Sequence, residues 1–544
     1  MSIPKNIHWT SSGSDRSVEL VSTVLERTYE ILRAQGMTTI FGNPGSNELP
    51  FLAGMPDDFD YVLGLHEGAV LGMADGYAQA TGGPVFVNLH AASGTGNAMG
   101  ALTNAHYSHS PLVILAGQQI RSTVGQEAML SNVDAALLPR PLVKHSHEPL
   151  SAIDVPRAVA QAGFEATTAP AGPVYLSVPY DDWSQEALPD DALLPSRSVR
   201  TAGALGPELL AELVSLIESF ENPVLVLGPE IDIDLAQDDA ALLAERLGAP
   251  VWVAPSPPRC PFPTRHAHFR GVLPPGITSV RERLEGHDGV IVLGAPVMRY
   301  HRWEPGAYLP AGARVLHVTS DPGEATRAPY GDAVVGHVGN AVAALATAVT
   351  DRGVRLDPVP APVADAVDGA MTGHEVLEVL NDHVHESVVY VNETTTLDVD
   401  YLSRIEIDRP GMYHFPASGG LGFGLPAAVG ISLAKPDATV VATVGDGSAN
   451  YGITALYTAV QRKTRTIFVI VNNSTYGALR GFAARLDALN APGLDVPGID
   501  FVHLAAGYGV PASRTTTREE FEAAYAAALA ADGPVLIDAR IAAP

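Results

Sequence analysis

Short apolar runs recur along this chain with a helix-length interval between them: Thr38 to Gly42 (TTIFG), Val85 to His90 (VFVNLH), Pro111 to Leu115 (PLVIL), Val224 to Gly228 (VLVLG), Val290 to Gly294 (VIVLG), Val388 to Asn392 (VVYVN), Ala438 to Val444 (ATVVATV) and Thr466 to Val471 (TIFVIV). The runs do not alternate apolar with polar residues, so each reads as a strand covered on both faces. The segments between them carry a helical period, and strand and helix in turn are the pattern of doubly wound parallel sheets. An α/β fold is expected. At 544 residues the chain exceeds one hydrophobic core, and roughly 150 residues per domain gives about three units. Gln185 to Pro207 and Asp351 to Ala366 break the rhythm with proline and charge, and read as linkers. They divide the chain into three doubly wound parallel-sheet domains, at 1–200, 201–360 and 361–544.

Composition removes several function classes. Lys and Arg total 33 against 60 Asp and Glu, and the net charge of −27 repels nucleic acid and anionic membranes. No apolar run reaches the roughly 18 residues of a membrane span, and the polar start MSIPKNIHWTSSGSDRS has no secretory core, so a cytoplasmic protein is expected. Cys260 is the only cysteine, which excludes an intramolecular disulfide and a thiolate metal cluster. Lysine occurs only at 5, 144, 435 and 463, leaving almost no candidate for a pyridoxal Schiff base. A small molecule is the expected partner.

The stretch V444-G-D-G-S-A-N450 places a carboxylate, Asp446, between two glycines where a buried strand has just ended. Asn473 follows 27 residues later at the end of the next apolar run, about one helix and one strand away. An ionised Asp446, the side-chain oxygen of Asn473 and a nearby backbone carbonyl are hard oxygen donors that suit Mg²⁺ or Ca²⁺. Gly445, Gly447 and Ser448 lead towards a helix expected at Ile453 to Val460, whose first amides can bind an anion, so a diphosphate is the expected ligand. Two other readings stay open at this point. Asp446 can simply cap that helix while the asparagines form a turn. Alternatively, Gly422-Phe-Gly424-Leu-Pro-Ala427 formally matches a dinucleotide fingerprint with Asp446 24 residues on, which makes a nucleotide-binding oxidoreductase the rival from another class. The fingerprint needs a strand immediately before it, and here His414-Phe-Pro-Ala-Ser-Gly-Gly420 precedes it.

Gly445-Asp446-Gly447 followed by Asn472-Asn473 resembles the signature of thiamine diphosphate (ThDP) enzymes. Longer strings resemble the benzoylformate decarboxylases within that family of 2-keto acid decarboxylases: FGNPGSNELPF (41–51), NLHAASGTGNAMGAL (88–102), VYLSVPYDDW (174–183), VWVAPSPPRCPFPTR (251–265), GAPVMRYH (294–301) and GLDVPGIDF (493–501). The likeness runs from about Val21 to about Asp538. It implies a pyrimidine-binding domain, a middle domain and a diphosphate-binding domain, in a homotetramer whose ThDP bridges two subunits. It places Mg²⁺ on Asp446, Asn473 and the carbonyl of Thr475. It also implies cofactor contacts from Thr395, Thr396, Gly419, Gly445, Gly447, Ser448 and Tyr451, and an apolar wedge, Leu421, that bends the cofactor.

By the same resemblance Glu67 bonds N1′ of the aminopyrimidine, Ser46 holds the substrate carboxylate, and His90 and His301 move protons. Phe415, Leu479 and Phe482 line an aryl pocket. Without the resemblance Glu67 reads as a carboxylate at a helix start, the histidines as structural residues at strand ends, and the three apolar residues as core. The reaction implied is the non-oxidative decarboxylation of benzoylformate and other arylglyoxylates to an aromatic aldehyde and CO₂. The alternatives within the family are an acyloin carboligase or lyase and a catalytically silent regulatory homologue. Three features depart from the pattern. About twenty N-terminal residues have no counterpart, His66 stands where glutamine is expected, and Gly481 stands where an aromatic is expected beside Phe482, which suggests tolerance of para-substituted substrates.

Overall fold

The computed structural model describes residues 22–201, 203–297, 303–363 and 369–542. Three six-stranded sheets form, and their paired strands are parallel. In the first the spatial order is Asp60–Leu63, Thr39–Gly42, Val85–Leu89, Leu112–Gln118, Val174–Pro179, His145–His147. In the third it is Tyr413–His414, Val388–Glu393, Thr439–Gly445, Thr466–Asn472, Val535–Arg540, Ala512–Thr515. Counted within each sheet, both orders are 2-1-3-4-6-5, so the outer domains are topological copies of one another. Their central strands are buried along their length, as expected of parallel strands with helices on both faces.

The two copies meet through the helices Glu67–Thr81 and Gly424–Ala434. Glycine makes this approach possible, because a Cβ at Gly430 would collide with the carbonyl of Met73 and one at Gly76 with that of Ala427.

The middle sheet has the order 3-2-1-4-5-6, that of dinucleotide-binding folds, with its switch point between Pro223–Leu227 and Gly289–Leu293. At that switch point its first turn, Gly228-Pro229-Glu230, carries no glycine fingerprint. Glu230 accepts hydrogen bonds from Thr319 Oγ1 (2.6 Å) and Ser320 N (2.7 Å) at that edge. The other fingerprint fails too, since the segment before Gly422 is a loop following the two-residue strand Tyr413–His414.

Two sequence expectations change in detail. The first linker is not wholly open chain: its Pro189–Ser196 portion is a 3₁₀ helix packed on Val24–Ala34 and Val155–Thr167, with Asp191 buried 3.4 Å from Arg157. The helix expected from Ile453 begins earlier, with Asp446–Gly452 and then Ala455–Arg462. Close packing explains the early start. A Cβ at Gly447 would collide with the Tyr476 ring, and one at Gly452 would lie 2.6 Å from Pro426 Cδ, so the residues that lower helix propensity here are those the packing requires. Residues 351–363 carry no helix or strand.

Candidate active site

The strand Thr439–Gly445 pairs with Thr466–Asn472 so that Gly445 lies opposite Val471. Asp446 and the Asn472-Asn473 pair therefore emerge side by side at the C-terminal edge of the sheet. Asp446 is 4% exposed; its Oδ2 accepts from Ser474 N at 2.6 Å and its Oδ1 from Gly447 N at 2.8 Å. Burial pushes its carboxyl above the usual range, against the pull of those two amides. Ser474 adopts φ +59°, and this turn aims Asn473 Oδ1 at Thr475 N, 3.1 Å away. Asp446, Asn473 and Thr475 line a cavity of about 410 Å³ together with Gly445, Gly447, Ser448, Thr395, Thr396 and Leu421.

The oxygen-bearing side chains lining this cavity include the carboxylates of Asp446 and Asp400, the amide of Asn473 and the hydroxyls of Thr395, Thr396 and Ser448, a hard set that fits Mg²⁺ or Ca²⁺ rather than a softer ion. Among the described residues no group of three or more His, Cys, Asp and Glu side chains forms a metal site. A cation on Asp446 would therefore complete its shell with other oxygens, such as those a diphosphate could supply. The residues present fit both groups.

Sequence reasoning missed Glu393, the fully buried last residue of the strand Val388–Glu393. It accepts hydrogen bonds from Gly422 N (2.6 Å) and Gly424 N (2.5 Å), and so fixes the loop that carries Leu421 into the cavity. Burial pushes this carboxyl up to about 7. The signal was the one that singled out Asp446: a carboxylate ending an apolar run. Tyr451 behaves differently from the other expected contacts. It is 61% exposed, packs its Cβ against Gly422 and lines neither cavity described here.

A second cluster forms in the first domain. Glu67 opens the helix Glu67–Thr81, is 7% exposed, and accepts from Asn97 Nδ2 (3.0 Å) and Asn43 Nδ2 (3.3 Å). His66 caps this helix by accepting from Gly68 N, which gives the departure from glutamine a structural role. His90 ends the strand Val85–Leu89, and its Nδ1 lies 2.8 Å from Glu48 Oε2. Glu48 was also missed. Its carboxylate is fully buried and already accepts from Gly45 N (2.9 Å) and Gly117 N (3.0 Å), so it holds the His90 ring with Nδ1–H towards itself and leaves Nε2 to exchange a proton. Glu67 and His90 converge on Gly94, where a Cβ would meet Glu67 Oε1 at 3.2 Å and His90 Cβ at 3.3 Å. Ser46 is exposed at the edge of this cluster, 3.4 Å from Asn47 Oδ1.

None of Ser46, Glu67 and His90 lines the cavity that contains Asp446 within one chain. A larger cavity of about 680 Å³ adjoins that one at Thr395, and Phe415, Phe482 and Gly419 line it with Ala478 and the proline-rich turn Pro255, Ser256, Pro257 of the middle domain. Leu479 is half exposed and lines neither cavity, because the helix Gly477–Arg485 presents Ala478 and Phe482 instead. His301 lies outside the described residues.

Models of thiamine pyrophosphate (that is, thiamine diphosphate) enzymes match all three domains: the N-terminal TPP binding domain over residues 22–138, the central domain over 210–345 and the C-terminal TPP binding domain over 396–539. The chain belongs to the thiamine pyrophosphate enzyme family. Within it, the chain is 56% identical to benzoylformate decarboxylase of Pseudomonas aeruginosa, over 95% of this chain and 98% of that protein. Among solved structures it is similar to the ThDP-dependent 4-hydroxybenzoylformate decarboxylase of Rhodococcus jostii, at TM-score 0.95 and 57% identity over 96% of this chain and all (100%) of that one. It is also similar to benzoylformate decarboxylase from Polynucleobacter necessarius, at TM-score 0.93 and 38% identity over 96% and 99% of the two chains. Family membership makes ThDP the cofactor and removes the oxidoreductase reading.

Proposed function

We infer that this enzyme is a ThDP-dependent carboxy-lyase that converts benzoylformate and related arylglyoxylates to the aromatic aldehyde and CO₂. The observation that carries the reading is the meeting, at Thr395, of an oxygen-lined cavity fit for a metal diphosphate and a larger cavity that Phe415 and Phe482 help to wall. ThDP, when bound, supplies the nucleophilic thiazolium carbon and the electron sink that loss of CO₂ from a 2-keto acid requires. Asp446, Asn473 and the Thr475 carbonyl would hold Mg²⁺; Gly445, Gly447, Ser448, Thr395, Thr396 and Gly419 would surround the cofactor, with Leu421 as the apolar residue against it. Glu67 would hydrogen-bond the aminopyrimidine ring and hold or release a proton there. Ser46 binds the substrate carboxylate, and His90, held by Glu48, exchanges protons through Nε2, with His301 as a second proton carrier. Phe415 and Phe482 pack the aryl ring, while Leu479 and Tyr451 contribute from outside the two cavities.

Because Glu67 and Asp446 open into different parts of one chain, the reading includes a homotetramer in which the first domain of one subunit covers the diphosphate site of another. The domain bounds 1–200, 201–360 and 361–544 and a cytoplasmic location belong to the same proposal. No helix among the described residues is long and apolar enough to cross a membrane.

Substrate choice tests the aryl wall. Burying a phenyl ring in place of a methyl group gains a few kcal/mol, so kcat/KM for benzoylformate is expected to exceed that for pyruvate by roughly 100-fold or more, with a branched aliphatic 2-keto acid between them. A preference for pyruvate would overturn the aryl-pocket assignment.

A further inference from the structure

Thr395 separates two environments. On one side are the oxygens of Asp446 and Asn473; on the other is the larger cavity, where Asp398, one helical turn beyond Thr395, shares the wall with Phe415 and Phe482. Asp398 does not line the diphosphate cavity. It recurs instead with Phe415, Ser256 and Pro257 around a small void between the third domain and the middle domain, so its carboxyl belongs to the aryl cavity and not to the one that holds the metal-binding oxygens.

Asp398 opens the helix Asp398–Arg404, and its Oδ1 accepts from Val399 N at 2.8 Å. Among the described residues its Oδ2 has no hydrogen-bond or ion-pair partner. Burial pushes this carboxyl up to about 6. A half-satisfied carboxylate beside Phe415 gains when a ligand completes its hydrogen bonds. An unsubstituted phenyl ring offers it only C–H groups, whereas a ring hydroxyl donates a charge-assisted hydrogen bond to Oδ2.

We propose that Asp398 selects arylglyoxylates that carry a hydroxyl on the ring opposite the keto acid; the proposal rests on the arylglyoxylate reading above and names its substrate class. It also moves the origin of para tolerance. Gly481 is exposed, lines neither cavity, and a Cβ there would meet nothing within 4 Å, so widening at Gly481 does not account for it within the chain. Asp398 does so by recognition rather than by space.

The test compares 4-hydroxybenzoylformate with 4-methoxybenzoylformate, which fills similar space without a donor, in the wild type, Asp398→Asn and Asp398→Leu. A charge-assisted hydrogen bond predicts a wild-type kcat/KM ratio of about 10 to 100 in favour of the hydroxyl, falling towards one in Asp398→Leu, with Asp398→Asn between. Inhibition constants for the non-reacting analogues 4-hydroxymandelate and mandelate, measured on the same proteins, should show the same loss of preference. A ratio unchanged by both substitutions would overturn the proposal. So would equal losses on both substrates with a lowered melting temperature, the result expected if Asp398 only caps its helix. Failure of the wild type to release CO₂ from any arylglyoxylate would overturn the underlying function instead, and needs no variant to detect.

Discussion

Asp446→Ala is expected to leave gel filtration without ThDP and to release no CO₂ from benzoylformate. Asp446 is the one carboxylate among the three proposed metal-binding residues, and Asn473 and the Thr475 carbonyl offer only neutral dipoles to a divalent cation. Removing a metal-ligating carboxylate should weaken cofactor retention by more than the roughly 10- to 100-fold typical of losing an outer partner. The substitution also strips Ser474 N of its acceptor, so Asp446→Asn serves as a second variant that keeps a hydrogen-bond acceptor while removing the charge. Both should lose ThDP. Retention of wild-type ThDP content in both would remove the metal-diphosphate assignment.

Glu67→Gln should do the opposite: keep its cofactor and stall. Gln preserves size and part of the hydrogen bonding to Asn43 and Asn97 but cannot relay a proton. Loss of a positioned proton-transfer group costs about 10² to 10⁴ in rate, and hydrogen–deuterium exchange at thiazolium C2 isolates that step from substrate binding. Exchange at the wild-type rate would leave Glu67 as a helix-start carboxylate and no more. The two variants together also test the assembly. Subunits carrying Glu67→Gln mixed with subunits carrying Asp446→Ala should regain activity, because one site of each mixed pair then draws Glu67 and Asp446 from intact domains. A site contained within one chain regains nothing.

Part of this site is legible in the amino-acid sequence because it depends on spacing along one sheet. Asp446 and Asn473 end neighbouring strands, and a buried run, a helix and a second run fix their separation once the sheet is parallel. The duplication of the outer domains leaves only a weak trace, since topology conserves strand order while the shared residues reduce to an asparagine at a strand end, Asn43 in one domain and Asn392 in the other. Glu48, Glu393 and Asp398 escape sequence reasoning for a common reason. Each acts through partners that only folding supplies: Gly117 lies 69 residues from Glu48, Gly424 lies 31 residues from Glu393, and Phe415 meets Asp398 across a cavity. The resemblance assigns Leu479 to the aryl wall, while within one chain the helix Gly477–Arg485 presents Ala478 and Phe482 to the larger cavity.

The most direct measurement is CO₂ release from benzoylformate by protein stripped of cofactor, assayed with ThDP and Mg²⁺ together and with each omitted. CO₂ and benzaldehyde in equal amounts when both are present, and neither product when ThDP is absent, is the predicted result. Equal turnover with and without ThDP, or consumption of benzoylformate without CO₂, would contradict the decarboxylase reading.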